Sequence, residues 1–195
     1  MTTLPHEAFA RFQELIERAK QTGLREPTAM TLATAGADGR VSARVVLLRG
    51  FDERGFVFYT NLSSEKALQM QANPSVAICF HWESLGEQVR IEGHAALVPN
   101  DEADAYWQSR PRDSQIGAWA SRQSETLDAR ETLEQRIAKI ELEFLGNEVP
   151  RPEFWSGYRV VARRIEFWSN RSARLHERVV YELRDGEWAT RMLYP

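Results

Sequence analysis

Cysteine is nearly absent from this sequence, and long apolar runs are missing. Cys79 is the single cysteine, which excludes an internal disulfide and a cysteine-rich metal site. Its neighbours at residues 76–80 are apolar, so we expect a buried, unreactive thiol. No stretch approaches 18 apolar residues, so no transmembrane helix is expected. The start of the chain lacks a basic segment followed by an apolar one, so we expect a cytoplasmic protein.

Several catalytic and nucleotide-binding motifs are also missing. The four histidines form neither an HxH nor an HExxH pattern, so no metal site is expected. A GxSxG nucleophile elbow, a Walker A loop and the GxGxxG dinucleotide-binding pattern do not occur. We therefore expect any nucleotide-like cofactor to be held by arginine side chains and backbone amides.

Lysine is scarce, although the chain has 25 basic residues. Only Lys20, Lys66 and Lys139 are lysines, and the others are arginines. A GC-rich genome explains this composition, and so does phosphate recognition, which suits the planar guanidinium group. The net charge of −3 gives no drive toward nucleic acid or an anionic membrane, so neither is expected as a partner.

The 195 residues fit one domain, 1–195, with a helical segment at 1–25. Apolar periodicity, turn residues and capping residues predict a mainly β core with α additions. A small barrel with helices at its rim fits better than a doubly wound sheet, because several successive strands lack helices between them. The predicted strands are 28–34, 41–48, 56–60, 75–82, 88–97, 158–168, 179–183 and 188–193, and the helices 5–23, 63–72, 101–109, 113–119 and 127–144.

The apolar residues 45–48 of the predicted strand at 41–48 have a basic residue on each side. Arg44 and Arg49 are five residues apart, so strand alternation places them on opposite faces. In one interpretation each arginine binds a different anion. In the other, both arginines simply flank a buried strand.

Two arginines precede the predicted helix at 113–119. Arg110 and Arg112 come just before Asp113, a candidate cap, and Ser114, which lies in the first turn. Helix N-termini attract phosphate, and nearby arginines strengthen that attraction. An exposed polar helix cap explains the segment equally well.

The segment Arg-Leu-His-Glu-Arg occupies residues 174–178. If it is extended, Arg174, His176 and Arg178 share one face. Such a row repels itself unless it faces an anionic ligand, so a binding role is favoured. His176 is suited to hydrogen-bond a ligand hydroxyl near neutral pH.

Together, these segments resemble the pyridoxamine/pyridoxine 5′-phosphate oxidase family. The resemblance runs from about Ala29 to Pro195 and includes residues 58–61, 123–124 and 165–168. It implies an FMN-binding split β-barrel with peripheral helices and a homodimer with FMN sites at the interface. It also implies oxidation of pyridoxine or pyridoxamine 5′-phosphate to pyridoxal 5′-phosphate, with O2 reduced to H2O2.

The resemblance also implies residue roles. Arg174 and His176 cover the substrate ring at the reaction centre, with no general base assigned. The substrate contacts are Arg49, Tyr106, Arg110, Ser114, Arg174 and His176. The FMN contacts, some from the partner subunit, are Arg44, Val45, Val46, Leu47, Leu48, Arg49, Tyr59, Thr60, Lys66, Gln88, Gln123, Ser124, Trp168 and Arg178.

Three features depart from the family pattern. Arg49 stands where the family usually has lysine, and Glu65 stands where it usually has arginine. A carboxylate repels a flavin phosphate, so we expect Glu65 to point away and FMN to bind more weakly. The basic N-terminal segment that covers substrate in some members has no match before Leu4.

Two other functions remain open. One is a related split-barrel flavoenzyme of the phenazine-pathway type, acting on another substrate. Such relatives share the flavin residues but lose much of residues 110–114, which this chain keeps. The other is a protein that binds FMN or pyridoxal phosphate without catalysis.

Overall fold

The computed structural model describes residues 3–195, so Met1 and Thr2, the start of the predicted N-terminal segment and part of the stretch before Leu4, lie outside it. Within this range the helices α1 to α5 are His6–Lys20, Glu65–Ala72, Asn100–Ser109, Arg112–Ala120 and Arg130–Glu143. The strands β1 to β9 are Ala29–Ala35, Val41–Leu47, Gly50–Asp52, Gly55–Asn61, Ser75–Trp82, Glu87–Leu97, Trp155–Ser169, Glu177–Arg184 and Glu187–Leu193.

All nine strands of the described range form one antiparallel sheet. Its main path runs β2-β1-β5-β6-β7-β4-β3, and the β8–β9 hairpin pairs with the far half of β7. The long strand β7 pairs with β4 through its first residues and with β8 through its last. The sheet curls into a half-barrel, which confirms the predicted mainly β architecture with added helices.

Helix α1 closes the open side of the curled sheet. Its apolar face buries Phe12, which packs edge-on against Phe51, Phe56 and Phe80. Aromatic rings in such edge-to-face contact contribute more than their buried area alone. Every helix of the described residues is too short or too polar to cross a bilayer.

A second apolar cluster lies under α3, α4 and α5. Trp107, Ile116, Val149 and Trp155 are buried in it. Helix α5 contributes only partly buried side chains, such as Ile137 and Ile140. This cluster fixes α3 and α4 against the start of β7.

Some predicted details were wrong. Residues 50–52 form the short strand β3, which pairs with β4 and was not predicted because three residues give no visible alternation. Cys79 is partly exposed rather than buried, and its remaining burial raises the pKa of the thiol. Helix α4 begins at Arg112 with Pro111 in the capping position, so Asp113 lies in the first turn instead of capping it.

Candidate functional site

A cavity of about 870 Å³ lies between the outer edge of β2, strand β4 and helices α3 and α4. We call it the main cavity. Its volume is in the range of small-molecule sites. It is lined by Arg44, Val45, Val46, Leu47, Arg49, Tyr59, Thr60, Asn61, Lys66, Tyr106, Ser109, Arg110, Pro111, Ser114, Gly117, Ala118, Ser121, Gln123 and Trp155.

One end of the main cavity is basic at the start of α2. The Lys66 Nζ atom donates to Gln123 Oε1 at 3.0 Å and to Thr60 Oγ1 and Ser64 Oγ at 3.3 Å. Burial lowers the pKa of Lys66, and the neighbouring Arg44 lowers it further. These groups gather positive charge beside a helix N-terminus, which suits an anion.

Arg44 extends this basic end along the sheet. Its Nη1 donates to Thr34 Oγ1 at 2.6 Å and its Nη2 to Ser42 Oγ at 2.6 Å. Burial lowers the pKa of Arg44, while the charge of Glu65 acts in the opposite direction. Glu65 does not line the main cavity, yet it lies close enough to affect both Arg44 and Lys66, so it is not remote from the basic end.

The loop after α4 completes this end. Ser124, at a positive φ of 75°, accepts a hydrogen bond from the Glu65 N–H at 3.1 Å. Ser64 occupies the capping position of α2, but its hydroxyl donates to Asn61 O instead of capping the helix. The helix N-terminus is therefore satisfied in part by a residue 59 positions away in sequence.

The opposite wall of the main cavity is aromatic. The rings of Tyr59 and Tyr106 stack with a centroid distance of 3.9 Å and an interplanar angle of 11°. The rings of Tyr59 and Trp155 stack with a centroid distance of 5.3 Å and an interplanar angle of 10°. Burial, with help from the charge of Glu102, raises the pKa of Tyr59 to about 12. Tyr59 thus stays neutral, and the stacked rings form a rigid wall.

Arg110 enters the main cavity from the loop between α3 and α4. Its Nη1 atom is buried and finds no hydrogen-bond partner among residues 3–195. Burial lowers the pKa of the guanidinium group, and Arg49 acts in the same direction. A buried charged donor without a partner is costly, which makes Arg110 a strong candidate to bind an anion.

A second cluster of predicted site residues lies on β6, β7 and β8. Gln88 pairs with Trp168, and Trp168 pairs with Arg178, so the three form one row across adjacent strands. The His176 ring lies 4.5 Å from the Trp168 ring. None of these four lines the main cavity, and neither do Leu48, Ser124 and Arg174. Within one chain, the predicted site residues therefore form two separate groups.

The segment 174–178 is extended only from Glu177, where β8 begins, so the condition under which Arg174, His176 and Arg178 would share one face is not met. Residues 172–174 form a short turn in which Ala173 and Arg174 have positive φ angles of 55° and 62°. His176 Nδ1 accepts a hydrogen bond from the Arg171 N–H at 3.3 Å, which closes the turn before β8 begins.

Strand alternation does not determine the relative placement of Arg44 and Arg49, and both line the main cavity. Strand β2 ends at Leu47, and the Arg49 N–H already donates to Val57 O on β4. Alternation therefore does not continue to Arg49.

Trp107 and Trp155 were not predicted as site residues. The Arg110 Cζ atom lies 5.1 Å from the ring centroid of Trp107 and 4.8 Å from that of Trp155. The aromatic pair at residues 154–155, which follows Pro150 and Pro152, was the available signal, but nothing local linked it to an arginine 45 residues before Trp155.

Comparison with known proteins places the chain in a family. Residues 16–144 match the model for pyridoxamine 5′-phosphate oxidase, and residues 155–195 match the pyridoxine 5′-phosphate oxidase C-terminal dimerisation region. A pyridoxine/pyridoxamine 5′-phosphate oxidase of Myxococcus xanthus strain DK1622 is 56% identical over 98% of this chain and 93% of its own length. One from Rubrobacter xylanophilus is 54% identical over 95% of this chain and 85% of its own.

Solved structures agree. PhzG from Burkholderia lata 383, crystallised with tetrahydrophenazine-1-carboxylic acid, has a TM-score of 0.92 at 34% identity and covers 98% of this chain and 94% of its own. A pyridoxamine 5′-phosphate oxidase-related, FMN-binding protein of Nostoc punctiforme has a TM-score of 0.76 at 19% identity, and the match covers 95% of this chain and 96% of that protein. At this identity it supports the fold alone. These matches confirm the split-barrel fold, and the chain belongs to the pyridoxine/pyridoxamine 5′-phosphate oxidase family.

Proposed function

We propose that this chain, with FMN bound, oxidises pyridoxine and pyridoxamine 5′-phosphate to pyridoxal 5′-phosphate, with O2 reduced to H2O2. The observation that carries the proposal is Arg110, whose buried Nη1 has no partner among the described residues and lies beside Tyr106 and Ser114 in the main cavity. A preformed site for an anion is what a phosphorylated substrate requires. The names of the relatives supply the identity of that substrate.

The donor groups of the main cavity fit FMN. Lys66, Arg44 and the N-terminus of α2 suit the flavin phosphate. Strand β2 pairs with β1 on one side, and Val45, Val46 and Leu47 line the cavity. A strand edge presents alternating N–H and C=O groups, which suit the polar edge of a flat heterocycle. We assign Leu48, Tyr59, Thr60, Gln123 and Ser124 to the same binding region.

The residues of this chain supply position and charge. FMN, when bound, supplies the redox chemistry. Arg49, Tyr106, Arg110 and Ser114 hold the substrate phosphate at one end, so the reacting carbon at the other end is confined to a narrow range of positions. Such confinement replaces a bimolecular encounter by an oriented one, which lowers the barrier.

The second cluster has a role if two copies of the chain share each site. Gln88, Trp168 and Arg178 of one copy contact the flavin held by the other, and Arg174 and His176 cover the substrate ring. The matched C-terminal dimerisation region, residues 155–195, contains all of these residues except Gln88. The separation of the two groups within one chain supports this arrangement.

A second candidate function is oxidation of another substrate, as the structural similarity to PhzG indicates. Its ligand, tetrahydrophenazine-1-carboxylic acid, carries a carboxylate and no phosphate. The paired phosphate donors Arg110 and Ser114 favour the vitamin B6 substrates over this alternative.

One aerobic assay tests the proposal. The purified protein is expected to show a flavin spectrum and to release H2O2 and pyridoxal 5′-phosphate from both substrates. A flavin-containing protein that forms no peroxide with either substrate contradicts it, and supports either the alternative substrate or a non-catalytic binding protein.

Replacing Arg110 tests the phosphate site directly. Arg110→Ala is expected to raise KM for pyridoxine 5′-phosphate about 10- to 150-fold, because a charge-assisted contact worth about 1.5–3 kcal/mol is lost. FMN content is expected to stay near the wild-type value. Arg112→Ala is the matched control, because Arg112 donates to Asn147 O and Phe144 O outside the main cavity. An unchanged KM in Arg110→Ala removes Arg110 from the phosphate site.

A further inference from the structure

Arg110 lies in a corner formed by two indole rings. Trp107 and Trp155 are 2% and 5% exposed, and their rings meet edge-on at 4.9 Å and 70°. The Arg110 Cζ atom lies within 5.1 Å of both ring centroids. At this distance each ring attracts the cation through its negatively polarised face.

Both rings are held firmly by other contacts. The Trp107 Nε1 atom donates to Val149 O at 2.8 Å. The Trp155 ring stacks on the Tyr59 ring with an interplanar angle of 10°, and its plane lies within 2° of the plane of the Tyr106 ring. The corner is therefore part of the second apolar cluster and is formed before any ligand arrives.

Arg159, a buried arginine elsewhere in this protein, is stabilised in a different way. Its Nη1 donates to Asp52 at 2.9 Å, and its Nη2 donates to Glu102 at 2.8 Å and 3.0 Å. Those carboxylates neutralise Arg159 and occupy its donors. No such carboxylate pairs with Arg110 within residues 3–195.

Aromatic rings stabilise a buried cation without accepting its in-plane N–H groups. The guanidinium of Arg110 thus keeps both its charge and its donors for a ligand. A carboxylate in the same place would compete with an incoming phosphate. An exposed arginine would lose more rotamer freedom on binding.

We propose that Trp155 is a positioning residue for the ligand phosphate, acting through Arg110. This inference rests on the proposed function and deepens it, because it concerns how the same phosphate site is prepared. Trp155 holds the guanidinium group in the binding orientation and leaves its N–H donors free.

The test is a double-mutant cycle on the FMN-loaded, full-length protein. The measured quantity is the dissociation constant of pyridoxal 5′-phosphate, with pyridoxal as the probe that lacks phosphate. Trp155→Leu is expected to weaken pyridoxal 5′-phosphate binding about 3- to 30-fold. Pyridoxal binding and FMN content are expected to change less than about 2-fold. In the Arg110→Ala background, Trp155→Leu is expected to have less than about a 2-fold effect, because its target is gone.

Two further variants guard against a purely structural effect. Trp119→Leu is the control for loss of a tryptophan, because Trp119 packs on Phe144 and Phe154 and does not line the main cavity. It is expected to leave pyridoxal 5′-phosphate binding unchanged. If Trp155→Leu does not fold, Trp155→Phe, which keeps a smaller aromatic face, replaces it in the cycle, with an expected loss of about 2- to 4-fold.

The outcomes separate the inference from the proposed function. Equal losses for both probes, or the same loss with and without Arg110, overturn the role of Trp155. Wild-type protein that binds pyridoxal 5′-phosphate but oxidises neither substrate contradicts the proposed function and leaves the cycle valid. Wild-type protein that does not bind pyridoxal 5′-phosphate contradicts both.

Discussion

Glu166 is a fully buried carboxylate held by arginines on the sheet. It is 1% exposed, and it accepts hydrogen bonds from Arg178 at 2.7 Å and Arg164 at 2.8 Å. Burial alone would raise the pKa of Glu166, but the contacts with Arg178 and Arg164 outweigh it, and the pKa lies below its ordinary value. Arg178 also donates to Tyr194 O, so the carboxylate helps to fix a predicted flavin contact and the C-terminal residues.

Replacing Glu166 is expected to destabilise the fold in a pH-dependent way. Glu166→Gln removes the charge that pairs with the partly buried side chains of Arg164 and Arg178, so the free energy of unfolding at pH 7 should fall by about 1.5–3 kcal/mol. Because the folded pKa lies below the unfolded one, the ion pairs stabilise fully above the unfolded pKa. Their contribution disappears as pH falls through the folded pKa. Urea unfolding of wild type and Glu166→Gln from pH 7 to pH 3 should therefore show a difference in the free energy of unfolding that becomes smaller as the pH falls.

The control for this experiment is Glu182→Gln, which removes a partly exposed carboxylate paired with the exposed side chains of Arg184 and Arg191. Exposed ion pairs contribute little, so this variant should resemble wild type. A difference between Glu166→Gln and wild type that widens on acidification would show that the arginines do not stabilise the ionised carboxylate.

At the scale of elements, the pairing of β6 with β7 depends on Gly93. The register shifts at residues 92–93, where the strands bulge. A Cβ atom on Gly93 would lie 2.1 Å from Val161 O, a backbone atom that cannot move without disturbing β7. The glycine is required here by the close approach of two backbones.

Gly93→Ala is expected to lower the free energy of unfolding by about 1–3 kcal/mol, because the added methyl group overpacks the ladder. Gly50→Ala is the matched control, since it makes the same change in a strand and its Cβ meets Val57 Cβ at an ordinary 3.9 Å. Chemical denaturation of the two variants measures the difference. Equal stability would mean that the two strands separate at the bulge with little cost.

The long elements were predictable from the sequence because their own side chains determine them. Helix α1 shows the helical spacing of Phe12, Leu15 and Ile16, and all three are buried as that spacing predicts. The strands rich in valine and isoleucine were found in the same way. The turn at residues 172–174 was not predicted, because it depends on positive φ angles that no glycine signals.

The candidate site was predictable only as a set of residue types. The resemblance identified Arg110, Tyr106 and Lys66, and the structure brings all three to one cavity. Their partners come from distant positions: Lys66 meets Gln123, and Arg110 meets Trp155. Contacts between residues this far apart follow from the topology of the sheet, which no local pattern encodes.

At the scale of the whole molecule, the two groups of predicted site residues do not meet within one chain. Arg110 and Ser114 line the main cavity, whereas Arg174 and His176 lie by the β7–β8 turn and do not line it. In the proposed arrangement, a two-fold dimer would place the second group of each copy beside the main cavity of the other. Each complete site would then draw one group from each chain.

This arrangement predicts complementation between inactive variants. Arg110→Ala and Arg174→Ala homodimers should each have low activity, because each lacks one substrate contact at both sites. Each mixed dimer has one site with both residues intact and one site with neither, so the purified mixed dimer should recover about half of wild-type activity. The variants are co-expressed with different tags, and the mixed dimer is purified and assayed. Arg110→Ala paired with Ser114→Ala is the control, because both residues belong to the main cavity and no mixed dimer has an intact site. No recovery between Arg110→Ala and Arg174→Ala would show that each site is built from a single chain. Recovery in the control would show that Arg110 and Ser114 do not act in the same site.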